Sequence, residues 1–196
     1  MLKKIFLVFA FITITSSPSL LADEGDLSFG LDLGGVGFVG DGMTVYGANG
    51  FGYGAFLTYA PSELFDLDLN FVYSPHKSNG NEANAFYGTI GLKFGMTFDQ
   101  LMPYLTAGVG FYRNSIGEST INGTTYSSTY AASFGFNFGG GVDIDVGRYM
   151  RLGLLVRYHP VLGKDLDSGR KGVNDYWDAL LRVGFLFRTG IQGCWD

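Results

Sequence analysis

Between Phe86 and Phe98 the chain changes character at every residue. Phe86, Gly88, Ile90, Leu92, Phe94, Met96 and Phe98 occupy one set of alternate positions, and Tyr87, Thr89, Gly91, Lys93, Gly95 and Thr97 the other. A period of two belongs to the extended strand, whose successive side chains point to opposite faces, and is incompatible with an amphipathic helix. The pattern returns in Phe65, Leu67, Leu69, Phe71 and Tyr73 against Asp66, Asp68 and Asn70. It returns again in Phe134, Phe136, Phe138, Val142 and Ile144 against Ser133, Gly135, Asn137, Asp143 and Asp145. One face of each strand is therefore apolar and aromatic, and the other small or polar.

Read this way, the chain predicts eight strands near residues 26–39, 46–59, 64–74, 85–98, 103–113, 131–146, 149–161 and 176–188. Most exceed the roughly 9–11 residues with which a tilted strand crosses a bilayer. The connections alternate in length. Ala60-Pro61-Ser62-Glu63, Asp99-Gln100-Leu101-Met102 and Gly147-Arg148 are short, whereas Pro75–Glu82, Asn114–Tyr130 and Gly163–Asp175 are longer and polar, and Gly40–Val45 is the shortest of that second set. Short turns at one end and longer loops at the other are the pattern of an outer-membrane barrel.

Composition decides which face points out. Phe, Tyr and Trp make up 16% of the chain, Gly contributes 31 residues, and only 16% are charged. A soluble up-and-down barrel would turn its apolar face inward, but the lumen of eight strands is only just wide enough for its own side chains. It has no room for the aromatic set of all eight strands. The expectation is an all-β fold, an eight-stranded antiparallel transmembrane β-barrel with lipid outside, small and charged residues inside, and both termini periplasmic. On the same assignment Gly30, Gly34, Gly52, Gly54, Gly91, Gly95, Gly108, Gly110, Gly135, Gly139, Gly141, Gly153 and Gly184 face inward, where a narrow barrel has least room.

Lys3 and Lys4 followed by the apolar run Ile5–Ile14 read as a secretory signal, shorter than the roughly 20 residues of a spanning helix. Ala22 suits the position before cleavage, so residues 1–22 are expected to be a signal peptide and residues 23–196 the barrel with a short C-terminal tail. The net charge of −5 becomes more negative once Lys3 and Lys4 are removed, and no basic cluster offers a footprint for nucleic acid. Cys194 is alone, so no disulfide within the chain is expected. No repeated His, Cys or carboxylate spacing points to a metal, and no motif to a cofactor.

The strand opening Pro103-Tyr104-Leu105-Thr106-Ala107-Gly108-Val109-Gly110-Phe111 and the closing Leu181-Arg182-Val183-Gly184-Phe185-Leu186-Phe187 resemble those of the outer-membrane protein β-barrel superfamily, which includes the small OmpA-, OmpX- and OmpW-type barrels. The resemblance implies residence in the outer membrane of a Gram-negative cell, in contact with lipid and lipopolysaccharide. It also implies assembly by the barrel-insertion machinery, which in that family reads an aromatic residue on the final strand; Phe185 and Phe187 supply one, although the chain continues to Asp196.

Taking the polar set as inward places Asp32, Asp66, Asp68, Lys93, Asp143, Asp145, Arg151, Arg157, Asp178, Arg182 and Arg188 in the lumen. Six acids against five bases are expected to pair, because an isolated charge in a narrow interior carries several kcal/mol of desolvation cost. Asp145 and Arg151, on either side of a tight turn, are expected to meet across strands. Such a network fills the lumen, and the resulting reading is a non-catalytic barrel with a structural or surface-interaction role. The Ser/Thr-rich Asn114–Tyr130 loop is its candidate extracellular contact. An alternative is a narrow OmpW-like channel for small solutes. A more distant one rests on His76-Lys77-Ser78-Asn79, which resembles the His-x-Ser-Asn motif of lipid A deacylases and would use His76 as base for Ser78. The acid expected about a dozen residues later is absent, with Glu82 the nearest carboxylate, and His76 is expected to open an exposed loop.

Overall fold

A computed structural model describes residues 25–39, 49–62, 64–78, 81–98, 100–117, 119–121, 124–126, 128–162 and 175–188. The proposed signal segment, the Gly40–Val45 connection, most of Gly163–Asp175 and Cys194 lie outside the described residues.

Alternation dictates the elements. Wherever apolar and small or polar residues alternate, the chain runs as a strand: β1 (Leu27–Phe38), β2 (Asn49–Ser62), β3 (Phe65–Ser78), β4 (Asn81–Gly95) and β5 (Leu101–Ile116). There follow two short strands, β6 (Ser119–Ile121) and β7 (Thr124–Tyr126), and then β8 (Thr129–Val146), β9 (Met150–His159), β10 (Val161–Leu162) and β11 (Tyr176–Phe187). Each long strand pairs antiparallel with the next, β5 with β8 and β9 with β11, and β1 returns to β11 through an unbroken register from Leu27↔Phe187 to Phe38↔Tyr176. The sheet closes on itself and has no open edge. β10 continues the line of β9 beyond Pro160, whose missing N–H interrupts the strand, and pairs with β8 at Val161↔Gly135.

The apolar set points outward. Leu105 and Phe134 each expose 71% of their surface, while Asp32 and Asp178 on the other face expose none. For a soluble protein such an exterior is an aggregation hazard; in hydrocarbon it is the required surface. The turns at one end are short. Phe98 and Leu101 exchange backbone hydrogen bonds of 2.8 and 3.0 Å, and β8 passes to β9 through Gly147 at φ +71°, a conformation open to Gly at little cost.

The strands outrun their expected ends at the opposite side. β3 and β4 extend through the segment expected as the Pro75–Glu82 loop and remain paired to Ser78↔Asn81. The two-residue alternation simply continues there, with Ser74 and His76 inward and Pro75 and Lys77 outward. Pro75 is tolerated because the pairing of β3 with β2 stops at Tyr53↔Tyr73. Likewise Asn114–Tyr130 is not a plain loop. β5 and β8 stay paired to Ile116↔Thr129, and β6 and β7 form a hairpin beyond them, as Thr and Tyr favour extended backbone. At the short-turn end β2 runs through Pro61 and Ser62, part of the expected turn, with a register shift between Tyr59 and Ser62.

Candidate functional site

The inward positions of all eight long strands converge in the lumen. At its short-turn mouth Arg151 donates to Asp145 through Nε at 2.7 Å and Nη2 at 3.3 Å, across the expected pair of β8 and β9. Arg188, just past β11, reaches the same carboxylate at 3.0 Å and is half exposed at the rim.

Deeper, Lys93 Nζ lies 2.7 Å from Asp143 Oδ2 and 4.0 Å from the centre of the Tyr104 ring. Gly153, opposite Asp143 in the register, makes room for this pair; a Cβ there would stand 2.2 Å from Asp143 Oδ1. Asp66 pairs with Lys93 in the register and is buried, but among the described residues it makes no ion pair and its Oδ1 has no hydrogen-bond partner.

The waist is built on two arginines. Arg182 reaches Asp32 with Nε at 3.0 Å and Nη2 at 3.3 Å, and Asp68 with Nη1 at 2.9 Å and Nη2 at 3.2 Å. Its guanidinium carbon lies 4.4 Å from the centre of the Phe56 ring, and Thr58 Oγ1 donates to Asp68 at 2.7 Å. Arg157 donates to Asp178 from Nη2 at 2.7 Å, to Asn70 Oδ1 from Nη2 at 2.8 Å and to Thr89 Oγ1 from Nη1 at 3.2 Å. Asn70 in turn donates through Nδ2 to Asp32. It therefore joins the two arginine centres. Asp178 also accepts from the Tyr87 hydroxyl at 2.7 Å and lies 3.0 Å from His159 Nε2. A neutral His159 with its proton on Nε2 leaves Nδ1 to accept from the Tyr112 hydroxyl, 2.8 Å away.

One continuous polar chain thus crosses the lumen from Tyr112 through His159, Asp178, Arg157, Asn70, Asp32, Arg182 and Asp68 to Thr58. Six strands contribute to it, which no single strand's pattern reveals. Fork-shaped guanidinium groups suit the task, since each can hold two planar acceptors at once.

Beyond this network, toward the long-loop end, the inward set turns hydrophobic. Val36, Phe38, Val72, Ala83, Ala85, Tyr87, Tyr112, Tyr176 and Leu180 form a buried cluster. Tyr87, Tyr112 and Tyr176 form a triangle of rings, Tyr112 lying 5.8 Å from each of the other two and these 6.1 Å from one another, and Phe38 packs on Tyr176 at 5.0 Å. Tyr176 donates to Asn114 through its hydroxyl. This aromatic cap corrects the expectation that the inward set is only small, polar or charged. Tyr87 already stands in the inward set with Lys93, and parity alone places Tyr112 with the inward Gly108 and Gly110 and Tyr176 with Asp178; the apolar bulk of these last two disguised them.

His76 also differs from expectation. It does not open an exposed loop but points inward from β3, 1% exposed, with its ring centre 4.6 Å from that of Phe38. Neither ring nitrogen has a hydrogen-bond partner among the described residues. A deacylase-like base would need to face the membrane, where its lipid substrate lies, and His76 faces the other way. The Ser78 side chain and Asn79 lie outside the described residues. The second histidine, His159, is locked between Tyr112 and Asp178. Among the described residues no three His, Cys, Asp or Glu side chains gather in a way that could hold a metal ion.

The family model described as outer membrane protein beta-barrel domain matches residues 7–188. Neisserial surface protein A superposes with a TM-score of 0.58 at 14% identity, over 82% of this chain and 94% of that one. The N-terminal β-barrel domain of Pseudomonas aeruginosa OprF gives 0.52 at 18% identity, over 84% and 98%. Ail, the attachment invasion locus protein of Yersinia pestis, solved with the heparin analogue sucrose octasulfate, gives 0.52 at 16% identity, over 84% and 100%. No curated protein sequence matches the chain.

Proposed function

The chain belongs to the outer membrane protein beta-barrel domain family and resides in the outer membrane, and from that premise we propose that it is a closed, non-catalytic barrel whose role is structural and surface-interacting. The observation that carries this reading is the double closure of the lumen. An arginine-aspartate network spans the waist, and an aromatic cap lies beyond it. Moving an ion through would require breaking buried charge pairs, at several kcal/mol each. The external contact in this reading is the segment around β6 and β7, whose Ser, Thr, Asn and Tyr residues offer hydrogen-bonding and aromatic surface. Targeting by the signal segment 1–22 and passage through the barrel-insertion machinery complete it.

Planar-bilayer recording on the purified barrel tests the closure. The expected result is no steady conductance above the bare bilayer in about 1 M salt, where screening is strongest. Large, stable open events would reverse the reading in favour of a narrow solute channel.

A further inference from the structure

The outer wall carries a site of its own. Across β3, β4, β5 and β8 the register lines up outward rows, among them Phe71, Gly88, Phe111 and Phe134, and next to it toward the long-loop end Tyr73, Phe86, Arg113 and Ala132. Rows two residues apart are separated by about 7 Å along the strand. Because Gly88 has no side chain, the first row holds an apolar hollow of about 480 Å³, walled by Phe71, Phe86, Phe111 and Phe134. A Cβ at Gly88 would stand 3.0 Å from the Phe71 ring. A second hollow of about 290 Å³ begins above it, sharing Phe86 as a wall and lined otherwise by Tyr73, Asn84, Arg113 and Ser115.

Charge distinguishes this place from the rest of the wall. Among the described outward strand residues only Lys77, Glu82 and Arg113 are charged. Lys77 and Glu82 neutralise each other at 2.8 Å. Arg113 is exposed, packs its guanidinium 5.1 Å from the Tyr130 ring centre, and has no carboxylate partner among the described residues. The Tyr73 hydroxyl donates to Asn84 Oδ1 at 2.8 Å, which leaves Asn84 Nδ2 as a donor beside Arg113. A cation and an amide donor stand at the lip of a greasy groove, about one row above it and at the end that bears the long loops, which in such barrels is the external one.

We propose that this groove binds one phosphorylated, acylated glycolipid of the outer leaflet. A phosphate of its headgroup sits on Arg113 and Asn84, and an acyl chain runs past Phe86 into the hollow over Gly88. The charge selects an anion, and the groove selects a chain attached to it. The proposal rests on residence in the outer membrane but is independent of whether the lumen conducts, so the two stand or fall separately.

Native mass spectrometry of the whole purified barrel, released from detergent micelles after titration with defined lipids, tests it. The probes are bisphosphorylated hexa-acyl lipid A, the same lipid dephosphorylated, phosphatidylethanolamine and inorganic phosphate. Wild-type barrel is expected to retain one bisphosphorylated lipid A and to prefer it over the dephosphorylated form by about tenfold or more, the order of a charge-assisted hydrogen bond. Arg113→Gln is expected to erase that preference and Arg113→Lys to keep part of it. Gly88→Leu is expected to weaken retention of both acylated forms, and Lys77→Gln to change nothing. Heat-modifiable gel mobility reports whether each variant is folded, and the wild-type comparison of the two lipids stands without any variant. Equal retention of phosphorylated and dephosphorylated lipid, full retention by folded Arg113→Gln, or binding of inorganic phosphate without preference for the acylated form would each overturn the assignment.

Discussion

Arg182 shows what a single residue does in this barrel. It is buried, and its fork is shared between Asp32 and Asp68, so removing it leaves two buried carboxylates without their cation. Arg182→Ala is expected to lower the unfolding free energy in lipid vesicles by about 3–5 kcal/mol, as for other buried pairs deprived of one partner. Replacing Arg182 by Met together with Asp32→Asn and Asp68→Asn should recover most of the loss, because no uncompensated charge then remains. Urea titration of the two variants decides the point; equal loss in both would mean that packing, not charge compensation, is what Arg182 supplies. The same logic explains Asn70. It carries no charge, yet it ties Arg157 to Asp32, a part that a search for acids and bases passes over.

Among the elements, β5 and β8 are the longest strands of the sheet and the ones that carry structure beyond the barrel. Their pairing reaches Ile116↔Thr129, so the β6–β7 hairpin hangs from a ladder that is complete without it. Deleting residues 117–128 and joining Ile116 to Thr129 through Asn-Gly, a favoured two-residue turn, is expected to leave heat-modifiable mobility and the urea midpoint unchanged. Attachment of expressing cells to host-cell monolayers is expected to fall. Unchanged attachment by the folded deletion variant would remove this hairpin from any surface role. The strand extensions were readable in principle: Ser74, Pro75, His76 and Lys77 keep the alternation going, but a Pro and a run of polar residues look like a loop until the facing strand is known.

Taken whole, the molecule is inverted relative to a soluble protein, with its charges enclosed and its aromatic residues outside. Enclosure has a measurable consequence, because ions in solution screen exposed charges and leave buried pairs nearly untouched. The urea midpoint in zwitterionic vesicles is expected to change little between about 0.05 and about 1 M salt. A steep fall would mean that electrolyte enters the lumen and weakens the pairs, which would contradict a filled interior by a route independent of conductance.

Strand number, closure and the side of each strand that meets lipid follow from a period of two, because parity is a local property and one wrong step would turn a whole strand inside out. The inward placement of Asp32, Asp66, Asp68, Asp143, Asp178, Lys93, Arg151, Arg157 and Arg182 follows for the same reason, as does the meeting of Asp145 with Arg151 across a short turn. The partners of Arg182, Arg157 and Lys93 do not. Arg182 and Asp68 are 114 positions apart, and Arg157 and Asn70 are 87. Such pairs depend on how far the strands are staggered as the sheet closes, and on which side chains reach across a lumen instead of along it. The aromatic cap, the inward turn of His76 and the outer groove over Gly88 depend on the same stagger. It brings Phe71, Gly88, Phe111 and Phe134 into one row, and no pattern along a single strand contains that information.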